Sequence, residues 1–90
     1  MAAEELADLI GQEVVVDSVA PFVYLGTLKY VSDQTVVLRN VDVHDLRDSN
    51  TTRERYVLDA RHDGIGANRK RVLIQRHQVV SISPLHDVLE

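Results

Sequence analysis

Residues 22–38, FVYLGTLKYVSDQTVVL, decide the fold: a long run broken by one glycine, a polar turn at Ser32 and Asp33, and a second run rich in β-branched residues. Two such runs around a turn read as antiparallel strands joined by a hairpin. Successive strand side chains point to opposite sides, so Phe22, Tyr24, Gly26 and Leu28 share one face. Gly26 puts no side chain on that face, which lets the strand bend sharply, as the wall of a small barrel must. Upstream, residues 12–19 contain EVVVDSV, another strand, turned by Ala20 and Pro21. Downstream, KRVLIQRHQVVSIS at residues 70–83 supplies two short strands, 71–76 and 78–83, with Pro84 as the stop. With residues 35–43 as the return of the hairpin, the strands number five.

Two helices complete the pattern. Leu6, Leu9 and Ile10 follow i, i+3, i+4 spacing, and Glu4, Glu5 and Asp8 complement the helix dipole, so residues 3–10 are expected to form a short helix that Gly11 ends. The pattern changes between Asp42 and Arg71, where an insert of about residues 44–69 begins with the turn-rich HDLRDSN. TTRERYVLDARHDG then reads as a helix, with Thr51 and Glu54 at capping-box spacing, Tyr56 and Ala60 one turn apart, and Gly64 as C-terminal cap. Residues 1–90 are expected to form a single domain, without repeats or a linker.

Composition narrows the function classes. A chain of 90 residues has a marginal core, so assembly with further copies would add useful burial. The absence of cysteine excludes disulfides, thiolate metal sites and cysteine nucleophiles. With an acidic N-terminus and no long apolar run, neither a membrane span nor a signal peptide is expected, and the expected location is cytoplasmic. The formal charge of −4 has the wrong sign for a generally nucleic-acid-binding surface, so any such site must be local. VVV at residues 14–16, VVL at 36–38 and VLI at 72–74 are apolar on both strand faces, so the second face needs cover. Cover can come from the two helices and from neighbouring copies that pair their edge strands.

Helix plus five strands, with G-x-L at Gly26-Thr27-Leu28, Val36 and Leu38 in the third strand, and I-x-x-x-x-V-V-x-I from Ile74 to Ile82, resembles the Sm and Sm-like family, including the bacterial Hfq branch. The resemblance covers most of the chain and implies a mainly β fold: a strongly bent antiparallel five-stranded Sm-like (SH3-like) barrel behind an N-terminal helix, here with a short helix between strands three and four. It further implies a homo-oligomeric ring of six or seven subunits, each adding its last strand to its neighbour's fourth, with RNA bound at the pore or on a ring face. Eukaryotic and archaeal members carry an aspartate and an asparagine in the loop between strands two and three. This chain has SDQT there, with Asp33 displaced by one position and Gln34 following it. At the second motif's arginine and glycine it has Gln75 and Arg76. Arg76-His77 instead matches the lysine-histidine pair of the Hfq branch in chemical type and position.

Gln75, Arg76 and His77, with Asp33 and Gln34, are therefore the first candidate RNA-binding residues. An arginine fork suits phosphate or a base edge, and histidine can stack on uracil or donate to it. Arg69, Lys70 and Arg71 form a second basic group, read either as a phosphate-contacting rim or as a solvated edge paired with Asp42, Asp45 or Asp48. Asp42, His44, Asp45, Asp48, His62 and Asp63 have metal-ligand side chains without a known spacing, and more often cap backbone groups, so no metal and no cofactor are expected. Ser32, Ser49, Ser81 and Ser83 lack a nucleophile-elbow context. The chain is thus expected to be no enzyme and to take no small-molecule substrate. Two functions remain: an RNA-binding ring, or a structural or protein-interaction module that keeps the barrel and has lost RNA binding.

Overall fold

The computed structural model describes residues 3–48 and 50–90; Met1, Ala2 and Ser49, the last among the serines weighed above, lie outside the described residues. The chain runs α1 (Ala3–Ala7), β1 (Glu13–Ser18), β2 (Phe22–Val31), β3 (Thr35–Asp45), α2 (Arg53–Asp63), β4 (Arg69–Gln75) and β5 (Val79–Pro84). Short 3-10 turns cover Leu46–Asp48, Arg76–Gln78 and Leu85–Asp87. All five strands form one antiparallel sheet in the order β4-β3-β2-β1-β5. The mainly β fold, its N-terminal helix and the helix inserted between β3 and β4 are as the sequence predicts.

The bend falls at Gly26, and β3 helps to make it. Leu25 pairs with Asp42 but Thr27 with Arg39, so one residue of β2 faces two of β3. Asn40 absorbs the extra residue in the left-handed region at φ 52°, where asparagine is better tolerated than branched residues. The strands approach closely here: a Cβ on Gly26 would lie 3.1 Å from the Arg39 carbonyl oxygen and 3.2 Å from Val41 Cγ2. Glycine at this position is a packing requirement as well as a source of freedom.

Two apolar layers lie on opposite faces of the sheet. Val14, Val16, Leu28, Val36, Leu38, Val41 and Ile74 fill the concave side. Val15, Val23 and Leu25 point the other way, against Val57 and Ala60 of α2 and against Leu85. The VVV of β1 thus serves both cores; of the two helices expected to cover its second face, α2 does so together with the Leu85–Asp87 turn, whereas Leu9, just after α1, packs on the concave side. Each fully buried valine or leucine contributes about 1.5–3 kcal/mol by area. Among the described residues the outer side of β3 and β4 has no comparable cover: Leu73, opposite Val37, is 61 % exposed.

Helix α1 is shorter than the predicted residues 3–10, its last residues continuing as turns in which Leu9 and Ile10 donate to the Leu6 and Ala7 carbonyls. Leu6 is buried and Leu9 packs on the concave core, while Gly11, at φ 90°, donates to Leu28 and seats the segment on β2. In α2 the cap is Thr52, not Thr51: Thr52 Oγ1 accepts from the Arg55 amide at 3.1 Å. Glu54 falls in the first turn, one residue short of the box position, and complements the dipole. At the other end Gly64, at φ 92°, donates to the Ala60 carbonyl, as its assignment as C-terminal cap requires.

Candidate nucleic-acid interface

One end of the sheet gathers the first group of candidates. Ser32 builds the β2–β3 loop: its Oγ accepts from the amides of Gln34 and Thr35 at 3.2 and 3.1 Å. The turn at Arg76–Gln78 docks on this loop, because the Arg76 amide donates to the Gln34 carbonyl at 2.8 Å and Arg76 Nη1 to the Ser32 carbonyl at 2.7 Å. From the other side, the Val19 amide donates to the Gln78 carbonyl at 2.9 Å and ties the turn to the end of β1. Asp33, Gln34, Gln75, Arg76 and His77 are therefore brought to one place. Asp33, Gln34, Gln75 and His77 are exposed, and Arg76 is half-buried. The geometry divides their roles: Arg76 braces the two loops, and His77 and Gln34 present a ring and an amide to solvent. Ser32, whose carbonyl orients Arg76, stands out in the sequence as a turn residue and as a serine without a nucleophile-elbow context, not as a partner of Arg76.

Arg69, Lys70 and Arg71 sit at the opposite end of β4, where Arg69 pairs with Val41 and Arg71 with Arg39. Arg69 and Gln75 lie six positions apart along the strand, roughly 20 Å. They do not join the loop cluster. Nor do they pair with the aspartates offered as partners. Asp45 is held by Arg47, and Asp42 by Tyr56 and Asn68. Lys70 and Arg71 instead share a groove with Lys29 and Arg39, neither of which stands out in the sequence. Only strand register brings those four together.

Asp42, His44 and Asp45, three of the metal-type side chains, have structural work. Asp42 is buried; it accepts from the Tyr56 hydroxyl and, at 3.2 Å, from Asn68 Nδ2. The Asn68 side chain also pairs with Val43, accepting from its amide and donating to its carbonyl at 3.1 Å each. The insert is thus buckled to β3 by Tyr56, near the start of α2, and by Asn68, just before β4. Burial first, and then the Asp42 carboxylate, push the Tyr56 hydroxyl well above its ordinary pKa. His44 stacks on Tyr56 at 3.7 Å. Arg47, bonded side chain to side chain, holds Asp45 down at about 2. Arg53 Nη1 lies 3.1 Å from Asp17 Oδ1, pinning the start of α2 to β1. Among the described residues no three histidine, aspartate or glutamate side chains converge as metal ligands.

No protein-family model matches the sequence, and a comparison with curated proteins gives no match. Solved structures do match. A Pyrococcus abyssii Sm protein in complex with a uridine heptamer has 19 % identity and a TM-score of 0.62, over 93 % of this chain and 97 % of that one. The P. aerophilum SmAP1 heptamer gives 20 % identity and 0.61, over 93 % and 95 %. A chain of the NatC complex bound to Gag peptide and CoA gives 20 % and 0.56, over 86 % of each. At this identity the likeness concerns the fold.

Proposed function

Starting from a chain with the Sm fold, we propose that it is the protomer of a homo-oligomeric ring of six or seven copies that binds single-stranded RNA at the loop cluster of Arg76 and His77. The observation that carries the assembly is the sheet order β4-β3-β2-β1-β5, which ends in two edge strands each paired on one side only among the described residues. Both edges expose apolar side chains, Leu73 on β4 and Val80 on β5, each 61 % exposed. Joining β5 of one copy to β4 of the next satisfies both rows of backbone groups and covers both side chains.

RNA is the ligand because the two loops that carry Gln34 and His77 would face a common axis in such a ring. Arg76 positions the loops; His77 stacks on or donates to a base; Gln34 and Gln75 supply amide groups for base edges. One modest contact per copy becomes avid when repeated around the ring. The Pyrococcus protein with its uridine heptamer and the SmAP1 heptamer support this reading. None of the proposed roles requires catalysis, a cofactor or a metal, and a cytoplasmic location is compatible with all of them.

The likeness to a NatC chain favours one second reading, in which the fold serves as a protein-interaction module without RNA. Titration of oligo-U and oligo-A RNA at two salt concentrations separates the two. Binding that weakens with salt and is lost on His77→Ala supports the RNA ring; no binding at low salt leaves the interaction module.

A further inference from the structure

The insert travels further than joining two strands requires. β3 and β4 are antiparallel neighbours, which a tight turn could connect, yet residues 46–68 leave β3, reach across the sheet and return. At the far end of that excursion α2 lies over β1: Arg53 is 3.1 Å from Asp17, and Val57 shares a core layer with Val15. β1 pairs with β5, so the helix stands beside the open β5 edge, at the other end of the sheet from β4. Between α2, Ser83 of β5 and the C-terminal segment runs an open groove of about 170 Å³. Small-molecule sites occupy roughly 300–1,000 Å³, so this groove suits side chains instead.

The groove has an apolar side and a charged rim. Val57, Leu58, Val88 and Leu89 form the first, and Leu89 is 86 % exposed. On the rim Arg53 is taken by Asp17, whereas Glu54 is exposed and makes no ion pair among the described residues. The opposite edge of the sheet carries the complement. Arg69, Lys70 and Arg71 open β4, exposed and equally without an ion pair among the described residues, and Val72 and Leu73 follow them. Successive residues point to opposite sides of a strand, so each side of β4 presents a cation and then an apolar residue: Lys70 with Val72, and Arg71 with Leu73. Either side matches a groove that is apolar with one acid at its rim. Within one copy β3, β2 and β1 lie between the two edges.

The geometry points to a clasp between copies: the groove of one protomer receives β4 of the next, with Glu54 paired to a β4 cation and the apolar residue beside that cation seated on Leu58, Val88 and Leu89. The inference rests on the ring reading given above and gives the insert a part in assembly beyond strand pairing. Joining β5 to a neighbour's β4 sets that strand about 4.8 Å from the β5 backbone at Ser83, within reach of the groove. A strand edge without cations would leave Glu54 unpaired, so the clasp selects a second copy of this chain. Glu54 at the rim repels phosphate, which makes the groove a protein site and not an RNA site.

Light scattering over a dilution series, without RNA and at low salt, compares the wild type with Glu54→Arg, with Lys70→Glu/Arg71→Glu and with Leu89→Asp. Each charge variant is expected to need roughly tenfold more protein than the wild type to stay assembled, from a few-fold per exposed pair at each of two interfaces per copy. Leu89→Asp, at a position too exposed to matter for folding, should weaken assembly as well, because a carboxylate then replaces an apolar contact beside Glu54. Mixing Glu54→Arg with Lys70→Glu/Arg71→Glu should bring assembly back toward the wild-type concentration, since α2 of each then meets a β4 of opposite charge on the other. That recovery separates the clasp from a loss of helix stability, which mixing does not cure. A wild type that stays a protomer at every concentration overturns the ring, and the clasp with it. An assembled wild type whose Glu54→Arg and Leu89→Asp forms hold together to the same dilution overturns the clasp and leaves the ring standing. Weakened charge variants that do not recover on mixing also overturn the clasp.

Discussion

Replacing Tyr56 by phenylalanine tests how the insert is fastened to the barrel. Asp42 is 8 % exposed, and among the described residues its side-chain donors are the Tyr56 hydroxyl and Asn68 Nδ2, without an ion pair. A hydrogen bond to a charged group contributes about 1.5–3 kcal/mol, and a buried acceptor left short of a donor loses the larger share. The pocket lined by Asp42, Tyr56, Asp59 and Asp63 opens to solvent, so water can replace part of the lost bond. The expected loss is therefore about 1–2 kcal/mol, a fall in Tm of roughly 5–15 °C for a domain of this size. Denaturant melts at fixed protein concentration measure it, since assembly shifts apparent stability. The pH dependence has a definite sign. Because the Tyr56 hydroxyl is held above its ordinary value of 10, its contribution is complete below that pH and is lost as pH rises toward the folded-state value. The gap between wild type and Tyr56→Phe should narrow above about pH 10. A loss under about 0.5 kcal/mol, or a gap that stays constant into alkali, would refute the fastening role.

Other expected outcomes follow from the same contacts. Gly26→Ala places a methyl group 3.1 Å from a backbone oxygen, so urea melts should show a loss of about 1–3 kcal/mol; a neutral result would mean that β3 yields easily. Val80→Glu should leave the circular dichroism of the folded protomer intact while lowering its assembled mass, since a charge on the β5 edge opposes burial there. Arg76→Ala should weaken RNA binding together with an altered NMR environment at Ser32 and Gln34, whereas His77→Ala should weaken binding without that change. Asp45 should titrate near 2 by carboxyl NMR and return to its ordinary range in Arg47→Ala; the stability it supplies is present above the ordinary carboxylate pKa and is lost as pH falls through about 2.

The strands were legible because β-branched runs such as VVVDSV and TVVL are hard to read otherwise, and Gly26 marked the bend. Asn40 was not, since a left-handed asparagine inside a strand has no local signal until its register is known. Thr51 and Thr52 are adjacent threonines, and only the helix register decided which one caps. For the second sheet face, the sequence offered two sources of cover, helices and neighbouring copies, and the helix α2 supplies part of it. Val15, Val23 and Leu25 turned out to lie under α2, while the outer side of β3 and β4 stayed open. Arg76 and His77 could be named as a pair from the sequence, but the docking of Arg76 on Ser32 joins residues 44 positions apart. Separation along the chain likewise hid the Asp42, Tyr56 and Asn68 buckle, as well as the meeting of Lys29 and Arg39 with Arg71. Long-range placement of polar side chains depends on register, which composition and periodicity do not carry.

The mass of the protein in solution, by light scattering across a dilution series, bears most directly on the central claim. Two free sheet edges with exposed Leu73 and Val80 predict a single species at six or seven times the 10.1 kDa protomer, stable to dilution. A species that stays at 10.1 kDa at every concentration would contradict it, because Gln34 and His77 would then scatter over separate surfaces instead of facing a common axis.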